Sequence, residues 1–461
     1  MEKKLPNILF YLTATLCLFS IINFLLNPIV SDDTGFYLAV AKEFYSGKVY
    51  FHEIGITYNP LSIIAVGIPF LFDNNPNYIW HLLINILVII CSSIILYKIS
   101  NKILTNKKYS LFFASFFVLV CLILDGRFIM LEPLSIFFQL LALYIYFVFN
   151  DTKKLKYLLL VGLFTSLSFL SKQYGLFILL PIVFDVLVKR ELFFKKLSFL
   201  AIGGFFPLIL FYLYLNAYGV NTTQFIAFIL GKGFELDYGI GTALNTNIFT
   251  YPIDLLYVIL FNLYIFIIPI YFFKYFQQLD SNKYLIISSF LASTLILYFA
   301  SYWHYFQYLI PYLIILFIYL FQSVDIIRYK KFGLLLFFIS IVFISGYSIS
   351  SYNSNITTLN DQKKEQLILN KFIPEGAQVF LHGPSPAYYY LCNLKSINLR
   401  YVGYEFPGYL FPETIVKNLN SGAYIVTNTK SFKLYEKIVS NFILKTITID
   451  NKEYIIIQKP Q

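Results

Sequence analysis

Residues 27–48 read Asn27-Pro-Ile-Val-Ser-Asp32-Asp33-Thr-Gly-Phe-Tyr-Leu-Ala-Val-Ala-Lys-Glu-Phe-Tyr-Ser-Gly-Lys48. They begin where the first long apolar stretch ends, so the two adjacent carboxylates are expected at a boundary between membrane and water. Two interpretations are open. Asp, Ser and Thr are favoured at helix starts, which would make the pair a solvated cap. Alternatively, the pair is placed to meet a reactive group that a lipid carries at the bilayer surface.

The composition indicates a polytopic membrane protein. Hydrophobic residues make up 58% of the 461 residues and charged residues only 13%, whereas about a quarter of a soluble domain is charged. Apolar stretches of about 17 to 25 residues can cross a bilayer as helices. They predict eleven spans, at 8–29, 79–100, 110–125, 132–150, 157–171, 174–188, 197–216, 253–273, 284–300, 305–324 and 332–350. The first has no small-residue cleavage site, so we expect a retained span and not a signal peptide.

The basic residues predict the orientation of these spans. With the N-terminus inside, the inner loops hold eighteen Lys and Arg residues and the outer loops five. Cytoplasmic loops carry this excess in membrane proteins. We therefore expect Asp32, Asp33 and the C-terminal tail on the outer side of the cytoplasmic membrane.

The remaining charge and cysteine features exclude other classes. The net charge of +11 is spread as short clusters at span ends and forms no stripe of the kind that binds nucleic acid. The four cysteines have neither a zinc spacing nor a disulfide framework. We expect no nucleic-acid partner and no cysteine-bound metal.

Composition changes near residue 350, which predicts two domains. Residues 1–350 would form the transmembrane domain. Residues 351–461 alternate short β-rich and helical runs, and they end in a polar turn between two alternating runs, at 445–457, that is typical of a hairpin. We expect a small extracytoplasmic α/β domain.

The first outer loop is predicted to contain two helices. Aromatic and aliphatic residues recur at helical spacing over 33–46, which indicates an amphipathic helix along the membrane surface that ends at Gly47. A run of about twelve apolar residues, too short to cross a bilayer, follows Asn59-Pro60. We expect it to form a second interfacial or re-entrant helix.

Four segments occur in a fixed order along the chain. They are Asp33-x-Gly-Phe-Tyr-Leu-x-x-Ala-Lys-Glu with Asn59-Pro60-Leu61, Arg127-Phe-Ile-Met-Leu-Glu132-Pro-Leu-Ser, Phe169-Leu-Ser-Lys172-Gln173-Tyr-Gly-Leu, and Trp303-His304-Tyr305-Phe-Gln-Tyr-Leu-Ile-Pro311. This ordered set resembles the GT-C glycosyltransferases, and more narrowly the protein O-mannosyltransferase and lipid A aminoarabinose transferase group (glycosyltransferase family 39-like). The resemblance covers most of residues 1–350.

The resemblance implies sugar transfer from a polyprenyl-phosphate donor to a lipid, glycan or protein acceptor outside the cytoplasm. It places the acidic residue of the first loop at Asp33, with Asp32 as the second choice. The group often has Asp-Glu here, whereas this chain has Thr34 at the position of the Glu. This departure concerns the acceptor chemistry more than the fold.

Displacing a lipid phosphate from a sugar requires a positioned nucleophile and neutralisation of the charge that builds on the phosphate. Asp33 is the candidate general base of a single inverting displacement. For the phosphate we predict Lys172, His304 and Arg127, and for acceptor contact or metal bridging Glu132 and Tyr305. No cofactor is required by the sequence, although a divalent cation bridging Asp33, Glu132 and the phosphate is an open alternative.

Each of these residues also has a purely structural interpretation. Lys172 can extend its amine to the membrane interface, His304 can belong to an aromatic belt, and Glu132 can be an N-terminal helix charge. The loop 217–252, with Lys232, is a candidate cover over the cavity. Two other classes stay open as alternatives: a multi-span transporter or flippase, and a polymerase or ligase of surface glycans.

Overall fold

The computed structural model describes most of the first 230 residues and parts of the rest. The described residues are 5–50, 54, 59–104, 106–126, 128–229, 282–299, 305–323, 341, 346, 356–382, 384–396, 412–428, 432–433, 436, 439, 441–449 and 452–460.

The N-terminal half is helical. Its helices are α1 Leu5–Leu26, α2 Asp32–Tyr45, α3 Pro60–Val66, α4 Tyr78–Ile103, α5 Lys107–Cys121, α6 Glu132–Thr152, α7 Lys156–Ser171, α8 Leu179–Lys189, α9 Phe193–Ala217 and α10 Thr222–Ile229. Further along the chain lie the helices Lys283–Phe299 and Phe306–Ser323 and a helix over 356–372. By length and composition, α1, α4, α5, α6 and α9 can each cross a membrane.

Nine of the eleven predicted spans coincide with helical segments of the described residues. The predicted span 253–273 lies outside them, and of 332–350 only 341 and 346 are described. At 174–188 the helical segment has two parts, a 3-10 helix at Gln173–Ile178 followed directly by the eleven-residue α8. A Cβ on Gly175 would overlap Ser168 of α7, so the chain turns back against α7 before α8 begins.

The helices α7 and α9 approach each other closely through glycine. A Cβ added to Gly162 of α7 would lie 2.7 Å from the backbone nitrogen of Gly204, and one added to Gly203 would lie 2.7 Å from the carbonyl carbon of Leu159. Small residues let membrane helices pack backbone to backbone in this way. This packing against α9 helps to fix α7, whose C-terminal end precedes Lys172.

The first loop forms the two short helices that the sequence predicts. Ser31 caps α2 by accepting a hydrogen bond from the Thr34 N–H at 3.2 Å, and Gly47, with a φ of +98°, follows its end. Pro60 begins α3, which is followed by the 3-10 helix Ile68–Leu71. Residues 34–41 of α2 are buried, so this helix is packed on both sides.

The C-terminal residues form a five-stranded mixed sheet. The strands are β1 Gln378–His382, β2 Lys395–Ser396, β3 Tyr424–Asn428, β4 Ile443–Ile449 and β5 Lys452–Gln458, in the order β2-β1-β3-β5-β4. Strand β1 is parallel to β2 and β3, and β5 is antiparallel to β3 and β4. The predicted terminal hairpin is confirmed as β4–β5. The helices Ala387–Leu391 and Pro412–Asn420 complete this C-terminal α/β unit.

Candidate active site

The two acids at the start of α2 face different surroundings. The Asp33 side chain is half-buried and lies within electrostatic range of Lys172 and Glu132, whereas Asp32 is exposed. Successive residues of a helix point about 100° apart, so one carboxylate turns inward when the other turns outward. Asp32 accepts a hydrogen bond from Oγ of Ser385 in the C-terminal α/β unit.

The environment of Asp33 changes its protonation. Burial raises the pKa of this carboxyl above its ordinary value because it disfavours the charged form. The positive charge of Lys172 lowers the pKa, and the negative charges of Glu132 and Asp32 raise it. A carboxylate with a raised pKa is a stronger base, which suits a general base.

Glu132 and Lys172 form a buried ion pair beside Asp33. The Lys172 Nζ lies 3.0 Å from Oε1 of Glu132, and the two side chains are 4% and 1% exposed, respectively. The same ammonium lies 5.2 Å from the ring centroid of Tyr305, which is within cation–π range. Tyr174 meets Tyr305 edge-on at 5.2 Å. The site therefore combines two carboxylates, one cation and an aromatic wall.

The chain before Glu132 is held by side chains, since it belongs to no regular element. The Ile129 N–H donates to the hydroxyl of Thr34 at 3.1 Å, the Ser62 hydroxyl donates to the Leu131 carbonyl at 2.9 Å, and the Asn85 amide donates to the Phe128 carbonyl at 2.9 Å. These donors and acceptors come from α2, α3 and α4. They place Glu132 at the first turn of α6.

The chain around Lys172 is held by α6. The Ser168 hydroxyl donates to the Ser135 carbonyl at 2.7 Å, and the Ser135 hydroxyl has the hydroxyl and the carbonyl of Ser168 as acceptors at 3.0 and 3.2 Å. Gln139 donates to the carbonyls of Tyr174 and Gly175 at 3.2 and 3.3 Å. The turn that carries Lys172 is thus tied to the helix that carries Glu132.

Of the residues predicted from the sequence, the structure brings Asp33, Glu132, Lys172 and Tyr305 together. Asp32 lies at the outer edge of this group. Arg127, His304 and Lys232 lie outside the described residues. Among the residues that are described, no group of three or more His, Cys, Asp or Glu side chains could hold a metal ion. The bridging divalent cation stays a prediction.

Two features of the fold were missed by sequence reasoning. Thr34 was treated as a departure from a motif, yet its hydroxyl accepts the Ile129 N–H and so holds the segment before Glu132. At the far end of α6, Tyr146 donates to buried Asp185 of α8 at 2.6 Å, and Lys189 lies 2.7 Å from the same oxygen. An acid within an apolar stretch was the available signal for this second cluster.

Comparison with known proteins supports the resemblance. Residues 39–230 match the family model described as dolichyl-phosphate-mannose-protein mannosyltransferase. A search of curated proteins found no match. Among solved structures, ArnT from Cupriavidus metallidurans bound to undecaprenyl phosphate is similar at a TM-score of 0.66 and 11% identity, over 98% of this chain and 99% of that chain.

Two further structures are similar to this chain. ArnT of the same organism in the apo state gives a TM-score of 0.61 at 10% identity, with 100% of both chains covered. The oligosaccharyltransferase AglB from Archaeoglobus fulgidus, in complex with an inhibitory peptide and a dolichol-phosphate, gives 0.54 at 12% identity, over 95% of this chain and 73% of that chain. By its fold the chain is of the GT-C type, and the family-model match over residues 39–230 agrees with this fold.

Proposed function

We propose that this protein transfers a sugar from a polyprenyl phosphate to an acceptor on the outer side of the cytoplasmic membrane, with inversion at the anomeric carbon. One observation carries the proposal: Asp33 lies beside the buried pair of Glu132 and Lys172. A base for the nucleophile and a cation for the anionic leaving group are therefore close together. The similarity to an ArnT that binds undecaprenyl phosphate supports the donor class.

In the proposed reaction, Asp33 accepts the proton of an acceptor hydroxyl. At the same time, the oxygen of that hydroxyl attacks the anomeric carbon of the sugar. The bond from that carbon to the phosphate oxygen breaks, and the polyprenyl phosphate leaves with the electron pair. Lys172 neutralises the negative charge that builds on this oxygen, and such preorganised charge is usually the largest contribution to catalysis. Glu132 holds the ammonium in place. Arg127 and His304 are further candidates for the phosphate.

We further propose that residues 1–350 form the transmembrane catalytic domain and that residues 351–461 form an extracytoplasmic domain. The N-terminus would be inside. The excess of basic residues on alternate loops supports this orientation, because membrane proteins retain such loops in the cytoplasm. A cysteine-accessibility experiment on intact cells tests it: Ser421→Cys should react with an impermeant reagent, and Lys154→Cys should not.

The transfer reaction is tested with membranes that contain equal amounts of each variant and a set of radiolabelled polyprenyl-phosphate sugars. We expect Asp33→Asn to lose at least about a hundredfold in rate, since general bases contribute about 10²–10⁴-fold. Asp73→Asn is the matched control, because Asp73 is an exposed acid of the same loop that bonds only the Asn75 N–H in the described structure. Full activity of Asp33→Asn would overturn the mechanism.

A further inference from the structure

The C-terminal α/β unit contacts the start of α2 through side chains. The Ser385 hydroxyl donates to Oδ1 of Asp32, and the Lys42 ammonium donates to Oδ1 of Asn393. The helix over 356–372, which precedes this unit, contributes Gln362, whose amide donates to the Val30 carbonyl at 2.7 Å and accepts the Val30 N–H at 3.3 Å. The contacts therefore run along α2 and the residues just before it.

Close backbone packing accompanies these polar contacts. A Cβ added to Gly35 would overlap the Cα of Ala387 and lie 2.8 Å from the carbonyl carbon of Pro386. Nearby, the Tyr390 ring lies edge-on to His81 at 5.6 Å, and its hydroxyl donates to the carbonyl of Pro76. Ala387 and Tyr390 are both buried in this contact.

The hydroxyl of Ser385 has a fixed direction. It accepts a hydrogen bond from the Ala387 N–H at 3.1 Å, at the start of the helix Ala387–Leu391. Its own proton is then free to point at Asp32. The exposed carboxylate is thereby held on the side of α2 that faces the C-terminal unit, away from the site that Asp33 faces.

We propose that Ser385 is a positioning residue for the acidic pair, so that docking of the C-terminal α/β unit sets the orientation of Asp33. This inference rests on the proposed function, since it concerns the candidate base. Asp32 and Asp33 share one helical turn, and fixing the outer carboxylate fixes the rotation of that turn. Without Ser385, Asp32 loses its partner and can move toward Asp33.

A double-mutant cycle tests the proposal, with transfer rates measured well above the acid limb of the pH profile. We expect Ser385→Ala and Asp32→Asn each to lower kcat about three- to tenfold, the range of one ordinary hydrogen bond at an exposed carboxylate, with an unchanged KM for the donor. The double variant should fall no further than the lower single variant. Ser385→Thr keeps a hydroxyl and should retain activity.

The pH profile provides a readout that a merely structural role would not move. The charged groups that act on Asp33 are Lys172, Glu132 and Asp32. Release of Asp32 toward Asp33 raises the pKa of Asp33, so Ser385→Ala should move the acid limb of kcat/KM to higher pH. Ser421→Ala is the matched control, because that exposed hydroxyl bonds only the Asn418 carbonyl of its own turn in the described residues.

Three outcomes are decisive. Two of them overturn this inference and leave the proposed function standing. In one, the losses multiply in the double variant. In the other, Ser385→Ala has the same activity as Ser421→Ala while Asp33→Asn is inactive. Full activity of Asp33→Asn overturns the proposed function itself. If Ser385→Ala does not accumulate, Asp32→Asn removes the accepting charge without altering the C-terminal unit, and Ser385→Thr against Ser385→Val, which has no donor, repeats the comparison.

Discussion

Lys172 and Glu132 form an ion pair with 3.0 Å between Nζ and Oε1, at a depth where both side chains are almost fully enclosed. Water cannot compensate either charge at this depth, so each residue depends on the other. The pair joins the end of α7 to the start of α6 beside the candidate base.

Breaking this pair is expected to be costly. Glu132→Gln or Lys172→Gln should lower the apparent free energy of unfolding in detergent by about 3 to 5 kcal/mol, because an uncompensated charge stays buried. The double variant should recover much of this stability and yet stay inactive. Lys102→Gln is the control, since its partner Asp151 is largely exposed and the cost should stay below about 1 kcal/mol. An active double variant would contradict a role for the pair in transfer.

The pH dependence of transfer should report on Asp33. A general base works when deprotonated, so kcat/KM should fall as the pH falls through the raised pKa of Asp33. The negative charge of Asp32 raises this pKa, and Asp32→Asn should therefore move the acid limb to lower pH. Asp73→Asn should leave it unchanged. A shift in the opposite direction would mean that another group titrates.

Gly35→Ala should separate the C-terminal α/β unit from α2 without weakening the helix. Alanine favours a helix interior over glycine by about 1 kcal/mol. Its Cβ, however, would overlap the backbone of Ala387, which cannot move aside as a side chain end would. We expect faster limited proteolysis after residue 350 and a lower transfer rate. Gly204→Ala, where the nearest atom lies 3.6 Å away, should change neither. Unchanged proteolysis of Gly35→Ala would argue against tight docking.

Thr34→Val should displace Glu132 with little change in side-chain volume. The Ile129 N–H would lose its acceptor, which costs about 1 to 3 kcal/mol for a buried group. The temperature of thermal unfolding and the rate of donor turnover should both fall. Thr294→Val is the control, because within the described part of the chain that exposed hydroxyl bonds only the Leu291 carbonyl of its own helix. Equal behaviour of the two variants would show that Thr34 does not hold the segment.

Local patterns were enough to predict the helices of the first loop. The aromatic residues of 33–46 recur at helical spacing, and Asn59-Pro60 is a strong helix start. The terminal hairpin at β4–β5 followed in the same way from alternating residues around a polar turn. These are short-range properties of the chain.

Contacts between residues that are far apart in the chain could not be predicted from the sequence. Glu132 and Lys172 were both selected from the sequence, yet nothing local indicates that they bond each other, since they are forty residues apart. The Asp32–Ser385 contact joins the first loop to the C-terminal unit, near the place where Gly35 packs on Ala387, and the two residues are 353 positions apart. Hydropathy also did not indicate that the segment 174–188 begins as a 3-10 helix that packs on α7 at Gly175.

Helix α6 is bonded near both of its ends. Glu132 at its start holds Lys172, and Tyr146, four turns further on, donates to Asp185 of α8. This helix therefore cannot tilt relative to α8 and Lys172 without breaking buried polar bonds. We therefore expect α6, α8 and the turn that carries Lys172 to move as one body when a substrate enters.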